Sequence, residues 1–466
     1  MRYGLLDLAA CQQCHAPLTA LAAAEVPSEM PQGLQPAATR VASGIGIGPV
    51  APGARDTPLN AILRRHARPP AADVARDFAV EIAEGLLVCG DCGRWYPIAG
   101  QLPEILPDHL RDAARDNAIL RSLAAAMPDE VRGALAALSA RADAADGGAH
   151  YKAAEMAIAS KVNDPEFFGP GYSVPFNPWN PEFSLFMVAV FGGVISVMKP
   201  RKTDTVLDSG CGYAWTTEWL HRSGLRAIGI DITRVYLEIA VARMGPSRPH
   251  LIVADAENLP VQAESADAVL AYEGFHHIPD RRRAMAGYDR ALRPGGRVVF
   301  AEPEAQHETS AEAVDAMTKY GILERGMELD DVIGYTAGTR LTRVEQVYVS
   351  RLSAAQAGRE VSADYLKKHR LFDANIFLIS RGGLAERFAA VRSRPERLGG
   401  RPLLCEAVEA LTRPRLSPGT RRARRGRGGC RRGWWRLPAR RGRRRRRGRG
   451  RGSGATRGSR SPRRAQ

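Results

Sequence analysis

The sequence predicts an α/β protein: a seven-stranded, doubly wound sheet, preceded by a small four-cysteine module and followed by a disordered Arg/Gly-rich tail. Three observations carry that prediction. Three short strand-forming runs, Thr205-Val-Leu-Asp208, Ala227-Ile-Gly-Ile-Asp231 and Leu251-Ile-Val-Ala-Asp255, each end in a carboxylate, at the spacing of strands separated by helices. Two Cys-x-x-Cys pairs, Cys11/Cys14 and Cys89/Cys92, stand upstream. From Arg413 onward the chain holds 23 Arg and no Asp, Glu or Lys.

The cysteine module comes first, at residues 1–107. Each Cys-x-x-Cys pair offers two thiolates from one tight turn, and four thiolates at about 2.3 Å make a closed tetrahedral zinc site. No catalytic neighbour accompanies the four ligands, so the expected zinc is structural. His15 makes the first pair a formal haem-attachment motif. That chemistry needs export, and the first ten residues lack a signal peptide's apolar core and cleavage site. Between the knuckles lie 74 residues, and the Ala/Pro/Gly-rich part, about 19–72, reads as a flexible insertion. The run Glu84 to Ile98, followed by Leu102-Pro-Glu-Ile-Leu-Pro107, resembles the small zinc-ribbon activator subunit of tRNA, rRNA and release-factor methyltransferases. The resemblance implies a ribbon that packs on and stabilises a catalytic unit, here fused to it; the long insertion departs from that family.

Residues 108–165 are Ala-rich with Arg and Asp and read as a helical linker. Tyr172, Phe176 and Trp179 follow in a Gly/Pro-broken segment, where they either cover a ligand or simply pack. In the next domain, 166–385, Gly210 and Gly212 after Asp208 make a turn that backbone and ligand approach closely. Asp231, 23 residues after Asp208, stands where a carboxylate accepts from both hydroxyls of a ribose. Position 215 is Trp, so the third glycine of a pyrophosphate-binding fingerprint is missing. Three acids on one edge of a parallel sheet thus suit a nucleoside without phosphate. Glu257-Asn-Leu-Pro260 follows, then a fourth strand over 265–272 and a fifth after Pro294-Gly295-Gly296, where a helix is expected to stop. The order and wording of these five pieces resemble the class I S-adenosylmethionine (SAM) dependent methyltransferases, in the group that includes the quinone-biosynthesis C-methyltransferases. The likeness covers about residues 170–385. It implies a Rossmann-like sheet whose last strands, near 343–349 and 375–379, include an antiparallel one. It also implies SAM bound by Asp208, Gly210, Gly212, Asp231, Asp255, Ala256 and Tyr272.

The fourth strand runs into Tyr272-Glu-Gly-Phe-His-His277. Enzymes that methylate adenine or amide nitrogens usually carry Asn/Asp-Pro-Pro-Tyr/Phe here, and no cysteine lies where a C5-pyrimidine enzyme needs its nucleophile. His276 and His277 are candidate general bases, since an imidazole titrates near neutral pH; such histidines also serve as helix starts or cofactor contacts. Residues 309–335 read as an insertion that shapes the substrate pocket. Removing the 23 tail arginines leaves 44 basic against 50 acidic residues, a mildly acidic body with no electrostatic call for nucleic acid. The longest apolar run, Phe183 to Met198, has 16 residues, short of the roughly 20 that span a bilayer. A cytoplasmic protein without a transmembrane segment is expected, its cysteines free or metal-bound. The leading reading is methyl transfer to a small-molecule, sugar or lipid-linked acceptor, at oxygen, with any protein partner unknown. The alternatives are an rRNA or tRNA methyltransferase, resembling a bacterial guanine-N1 rRNA family with an N-terminal zinc ribbon, and a non-catalytic SAM-binding activator. The tail at 413–466 reads either as an RNA- or anion-binding segment or as a high-GC region translated out of frame.

Overall fold

The computed structural model describes residues 1–28, 46–51, 53–67, 80–138, 148–157, 173–176, 181–350 and 372–381. Tyr172, Trp179 and the Arg-rich tail lie outside them. Among the described residues one sheet of twelve strands dominates. The N-terminal part supplies β1 (Thr19–Pro27), β2 (Gly46–Ile47), β3 (Val80–Val88), β4 (Trp95–Ala99) and β5 (Leu102–Ile105). The C-terminal part supplies β6 (Thr205–Ser209), β7 (Arg226–Asp231), β8 (His250–Ala254), β9 (Ala266–Tyr272), β10 (Leu292–Glu302), β11 (Leu341–Ser350) and β12 (Phe372–Arg381).

The order is β11-β12-β10-β9-β6-β7-β8-β5-β4-β3-β1-β2. Strands β6 to β10 pair in parallel, and β12 runs antiparallel between β10 and β11. The chain reverses its direction of travel across the sheet between β6 and β9, and crevices beyond the carboxyl ends of strands form at such switch points. One feature was not legible beforehand. The N-terminal strands do not make a separate sheet: β5 joins the free edge of β8 in parallel, pairing Glu104 with Val253 and Ile105 with Ala254.

Side chains alternate across the sheet with the two-residue period of a strand. Leu207, Val269, Val298 and Phe300 face one core, while Val206, Ala268, Leu270 and Val299 face the other. The first core is continuous with Met1, Leu5, Leu8, Tyr96 and Ile98 of the N-terminal part. The second receives α5 (Pro181–Met198), whose Val190, Phe191, Val194 and Met198 are buried against the sheet. By length and composition this helix is long and apolar enough to cross a membrane; the buried stripe is that of a helix laid on a sheet.

Two expectations need correction. The stretch 19–72 is not a free insertion throughout. Its start is β1, which pairs with β3 along its length, because Ala20, Leu21 and Ala22 are small or apolar enough to be buried between neighbouring strands. Its end holds α1 (Pro58–His66), started by the Thr57 hydroxyl accepting from the Asn60 amide with Pro58 in the first turn, a strong helix-start signal. The helix α8 (Arg281–Ala291) stops before Pro294, and Leu292 already pairs with Ala266 as part of β10. In the expected linker, α2 (Ala113–Ala125) and α3 (Asp129–Ala136) bury Leu120, Leu123, Val131 and Leu135 against Leu86, Val88 and Trp95. They form a second layer on the N-terminal strands.

Candidate active site

The two knuckles meet. Cys11 Sγ lies 3.6 Å from Cys92 Sγ and Cys14 Sγ 3.5 Å from Cys89 Sγ, and all four sulfurs fall within 4.8 Å of one another. Each knuckle closes the same way. The His15 amide returns to the Cys11 carbonyl at 2.8 Å and the Gly93 amide to the Cys89 carbonyl at 2.9 Å, with left-handed backbone at His15 (φ 57°) and Gly93 (φ 75°). His15 therefore serves the turn. The start of α1 and the residue before it brace the second knuckle: Thr57 donates to the Gly90 carbonyl at 2.7 Å and Asn60 Nδ2 to Asp91 at 3.1 Å. Four thiolates from two such turns fit a structural zinc ion.

At the carboxyl ends of β6 to β9 lies a cavity of about 390 Å³. Gly210, Gly212, Asp231, Asp255, Ala256, Tyr272, His276 and His277 all line it. Gly210 (φ 71°) and Gly212 (φ 52°) both need left-handed backbone. A Cβ on Gly210 would sit 3.2 Å from the Gly274 Cα, whereas one on Gly212 would meet nothing within 4 Å. The turn is thus packed on one side and open above.

Asp208 lies one layer down. It is fully buried and absent from the cavity wall; its Oδ2 accepts from the Thr216 and Thr217 hydroxyls, both at 2.6 Å. This fastens the start of α6 (Trp215–Arg222) under the glycine turn. Burial raises its pKa to about 6, with both threonines opposing the rise. Asp231 does reach the cavity. Its Oδ2 accepts from the Gly212 amide and its Oδ1 from the Thr233 amide, each at 2.7 Å. A carboxylate has about four acceptor positions, so two stay open to a ligand. The Tyr213 hydroxyl, buried and unpartnered among the described residues, also lines this wall. Glycines that make room, a carboxylate with free lone pairs and an unpaired buried hydroxyl fit a nucleoside with its hydroxyls inward.

Lys152 was not legible as a site residue. It lies on α4 (Ala149–Ala157) in the expected linker, is buried, and donates to Asp255 at 3.0 Å and Glu257 at 2.6 Å. The Asn258 side chain donates to the same Asp255 oxygen at 2.6 Å. Lys152→Met strands two adjacent carboxylates, and breaking a buried pair costs about 3–5 kcal/mol. We expect a loss of about 3 kcal/mol in urea unfolding at pH 7.5, shrinking as the pH falls because burial already raises the Glu257 carboxyl and eases its protonation once the lysine is gone. An unchanged midpoint would show that the lysine is not needed there.

The same cavity also has an acidic and imidazole-rich part. Glu302, at the end of β10, is fully buried and accepts from the Phe275 amide at 2.8 Å and from His276 Nδ1 at 2.6 Å. His276 Nε2 lies 3.3 Å from Glu324, which also holds His307 at 2.8 Å. Burial alone would lower the His276 pKa, but Glu302 and Glu324 outweigh it and raise it to about 10. Carboxylates facing both nitrogens favour the protonated imidazole, so His276 is a poor general base. His277 Nδ1 binds the Leu323 carbonyl at 2.8 Å and lies 3.2 Å from Glu155 of α4. Glu273 lines the cavity in left-handed backbone (φ 52°). Burial raises its carboxyl to about 7; His276 opposes the rise and Glu302 adds to it. Glu324 and Ile322 come from residues 309–335, between α9 (Ala311–Tyr320) and α10 (Leu329–Tyr335). That insertion does contribute to the wall.

Comparison with known proteins agrees with this division. A methyltransferase-domain family matches residues 207–300, and the Trm112p-like protein family matches residues 2–100. Methyltransferase GfsG of Streptomyces halstedii is 32% identical over 137 residues, 28% of this chain and 49% of that protein. O-methyltransferase cnsE of Penicillium expansum is 33% identical over 117 residues, 24% of this chain and 42% of that protein. The chain thus spans about half the length of the curated relatives it matches. Among solved structures, one chain of a complex between the Haloferax volcanii Trm112 methyltransferase activator and a methyltransferase is 19% identical. It covers 41% of this chain and 88% of that chain, with a TM-score of 0.35. The protein carries an N-terminal Trm112p-like domain joined to a class I methyltransferase domain of the SAM-dependent kind.

Proposed function

We propose that the protein transfers the methyl group of SAM to a hydroxyl of a small or lipid-linked acceptor bound in the same cavity. The supporting observation is that one cavity holds two chemistries: the Gly210–Gly212 turn with Asp231, and Glu273 with the histidine–carboxylate cluster. SAM supplies an electrophilic methyl on a sulfonium. The chain's task is to hold donor and acceptor in line and to take one proton. Gly210 and Gly212 leave room for the donor's approach, and Asp231 accepts from its ribose hydroxyls. Phe176, Phe183 and Met187 give the cavity an apolar side, suited to an acceptor with a hydrophobic body. His277 was the expected base. Its Nδ1 donates to the Leu323 carbonyl and leaves Nε2 to face the cavity cluster; we assign proton removal to Glu273, which lines the cavity and whose carboxyl is raised by burial to about 7.

An RNA acceptor is the second reading, favoured by the Trm112p-like match. The test is label transfer from methyl-labelled SAM to a panel of hydroxylated aromatics, polyketides and lipids, run beside bulk RNA. Labelling of a small hydroxylated acceptor, abolished in Glu273→Gln while SAM still binds, is the expected result. Labelling of RNA alone would replace this reading with the second one. A chain that binds SAM but labels nothing would support the activator reading.

A further inference from the structure

The histidine–glutamate cluster is more elaborate than proton removal requires. His276, His277 and Glu324 each offer a ligand atom, and these atoms all lie within 4.8 Å of one another. Both imidazoles are already oriented from behind. His276 Nδ1 meets the Glu302 carboxylate at 2.6 Å, and His277 Nδ1 meets the Leu323 carbonyl at 2.8 Å. Metal-ligating histidines are held this way, with one nitrogen bound to a carboxylate or backbone carbonyl and the other facing the ion. Glu302 is itself held by the amides of Gly274, Phe275 and His276. Glu324 is steadied by His307 at 2.8 Å. His276 and Glu324 are more than nine-tenths buried, yet both line the cavity.

We propose that His276, His277 and Glu324 bind one divalent transition-metal ion in the cavity wall, separate from the four-cysteine site, with open positions facing the acceptor. Two imidazoles and one carboxylate suit Fe²⁺, Zn²⁺, Mn²⁺ or Co²⁺; Mg²⁺ and Ca²⁺ prefer all-oxygen sets. The ion takes the place of the His276 Nε2 proton that otherwise faces Glu324, and the Nδ1 proton stays on its hydrogen bond to Glu302. An acceptor hydroxyl coordinated there is acidified, and its proton passes to Glu273, which leaves the oxygen as the nucleophile. Binding of the ion stands without the methyl-transfer reading, whereas this activating role rests on it.

The experiment uses the full chain with its four-cysteine site already filled by one zinc, verified by metal analysis. Cobalt(II) is titrated in and followed by visible d–d absorption, with the thiolate-to-cobalt charge-transfer region as the monitor for the cysteine site. The expected result is one further cobalt per chain without a charge-transfer band. His277→Ala and Glu324→Gln should each weaken it at least about tenfold, and Glu302→Gln by about tenfold through the outer shell. Far-UV circular dichroism and a urea melt of every variant report folding, and SAM calorimetry is run beside them. Should His277→Ala fail to fold, the isosteric Glu324→Gln decides. No cobalt beyond the cysteine site, or equal uptake by folded Glu324→Gln, overturns the proposal. Cobalt uptake by a chain that cannot bind SAM would leave the metal site standing and remove the methyl-transfer reading.

Discussion

Replacing Cys89 with serine, or stripping the bound metal, is expected to lower the melting temperature of the whole chain by more than about 10 °C, in a single transition. Structural zinc contributes about 10–16 kcal/mol in isolated zinc-finger peptides. Even a fraction of that, at roughly 2–4 °C per kcal/mol for a chain of this order of size, exceeds ten degrees. The loss should spread because the two domains share their core and sheet. Leu5 and Leu8 lie in one hydrophobic cluster with Ile228, Ile252 and Val269. The Ala10 amide donates to the Pro260 carbonyl at 2.9 Å and the Gln262 amide to the Leu8 carbonyl at 2.8 Å. Arg248 reaches back to Glu81 at 2.5 Å, both buried, and Arg234 pairs with Glu104. Differential scanning calorimetry on wild type and Cys89→Ser decides the matter, with zinc counted by elemental analysis. A second transition surviving at the wild-type temperature would show that the methyltransferase domain is independent of the knuckles.

The second large effect concerns Asp231. Asp231→Ala is expected to weaken SAM binding about a hundredfold, close to 2.7 kcal/mol, the value of one or two charge-assisted hydrogen bonds from ribose hydroxyls. The mutation also frees the Gly212 and Thr233 amides, which loosens the turn and adds to the loss. The same carboxylate sets the pH dependence. Burial raises its pKa to about 6, the Thr233 and Gly212 amides pull it down, and Glu155 of α4 pushes it up. Tyr213 and Tyr236 line the same wall. Only the ionised form accepts both hydroxyls, so the bound state favours deprotonation. Affinity should therefore be flat above about pH 7 and fall by up to tenfold per unit below pH 6. Calorimetry from pH 8 to pH 5 tests the sign: a flat profile would mean that Asp231 does not carry the ribose.

How much of this was legible follows from where the information lies along the chain. The strand runs ending in Asp208, Asp231 and Asp255 are local patterns, since an apolar run is buried whatever packs on it. Each cysteine knuckle is likewise a turn of five residues that closes on itself. Asp208 shows the limit of that logic. Its type and position at a strand end match those of Asp231, yet it lies beneath the turn because the Thr216 and Thr217 hydroxyls capture it. Glu302 ended a strand that was legible, but its role arises because Phe275 and His276, from another strand's end, fold over it.

The sequence by itself thus determined the α/β class, the parallel strand series, the glycine turn with its acids and the four-cysteine set, because each arises within a few consecutive residues. Tertiary structure alone decided three other things. β5 extends the catalytic sheet at β8, Lys152 from a distant helix neutralises Asp255 and Glu257, and Glu324 meets His276 and His307 across the cavity. Each joins segments separated by many residues, and no local periodicity or spacing encodes which buried charge will meet which. Only the closing of the sheet and its helices brings those groups within bonding distance, where the cost of burying one charge is offset by the partner it finds.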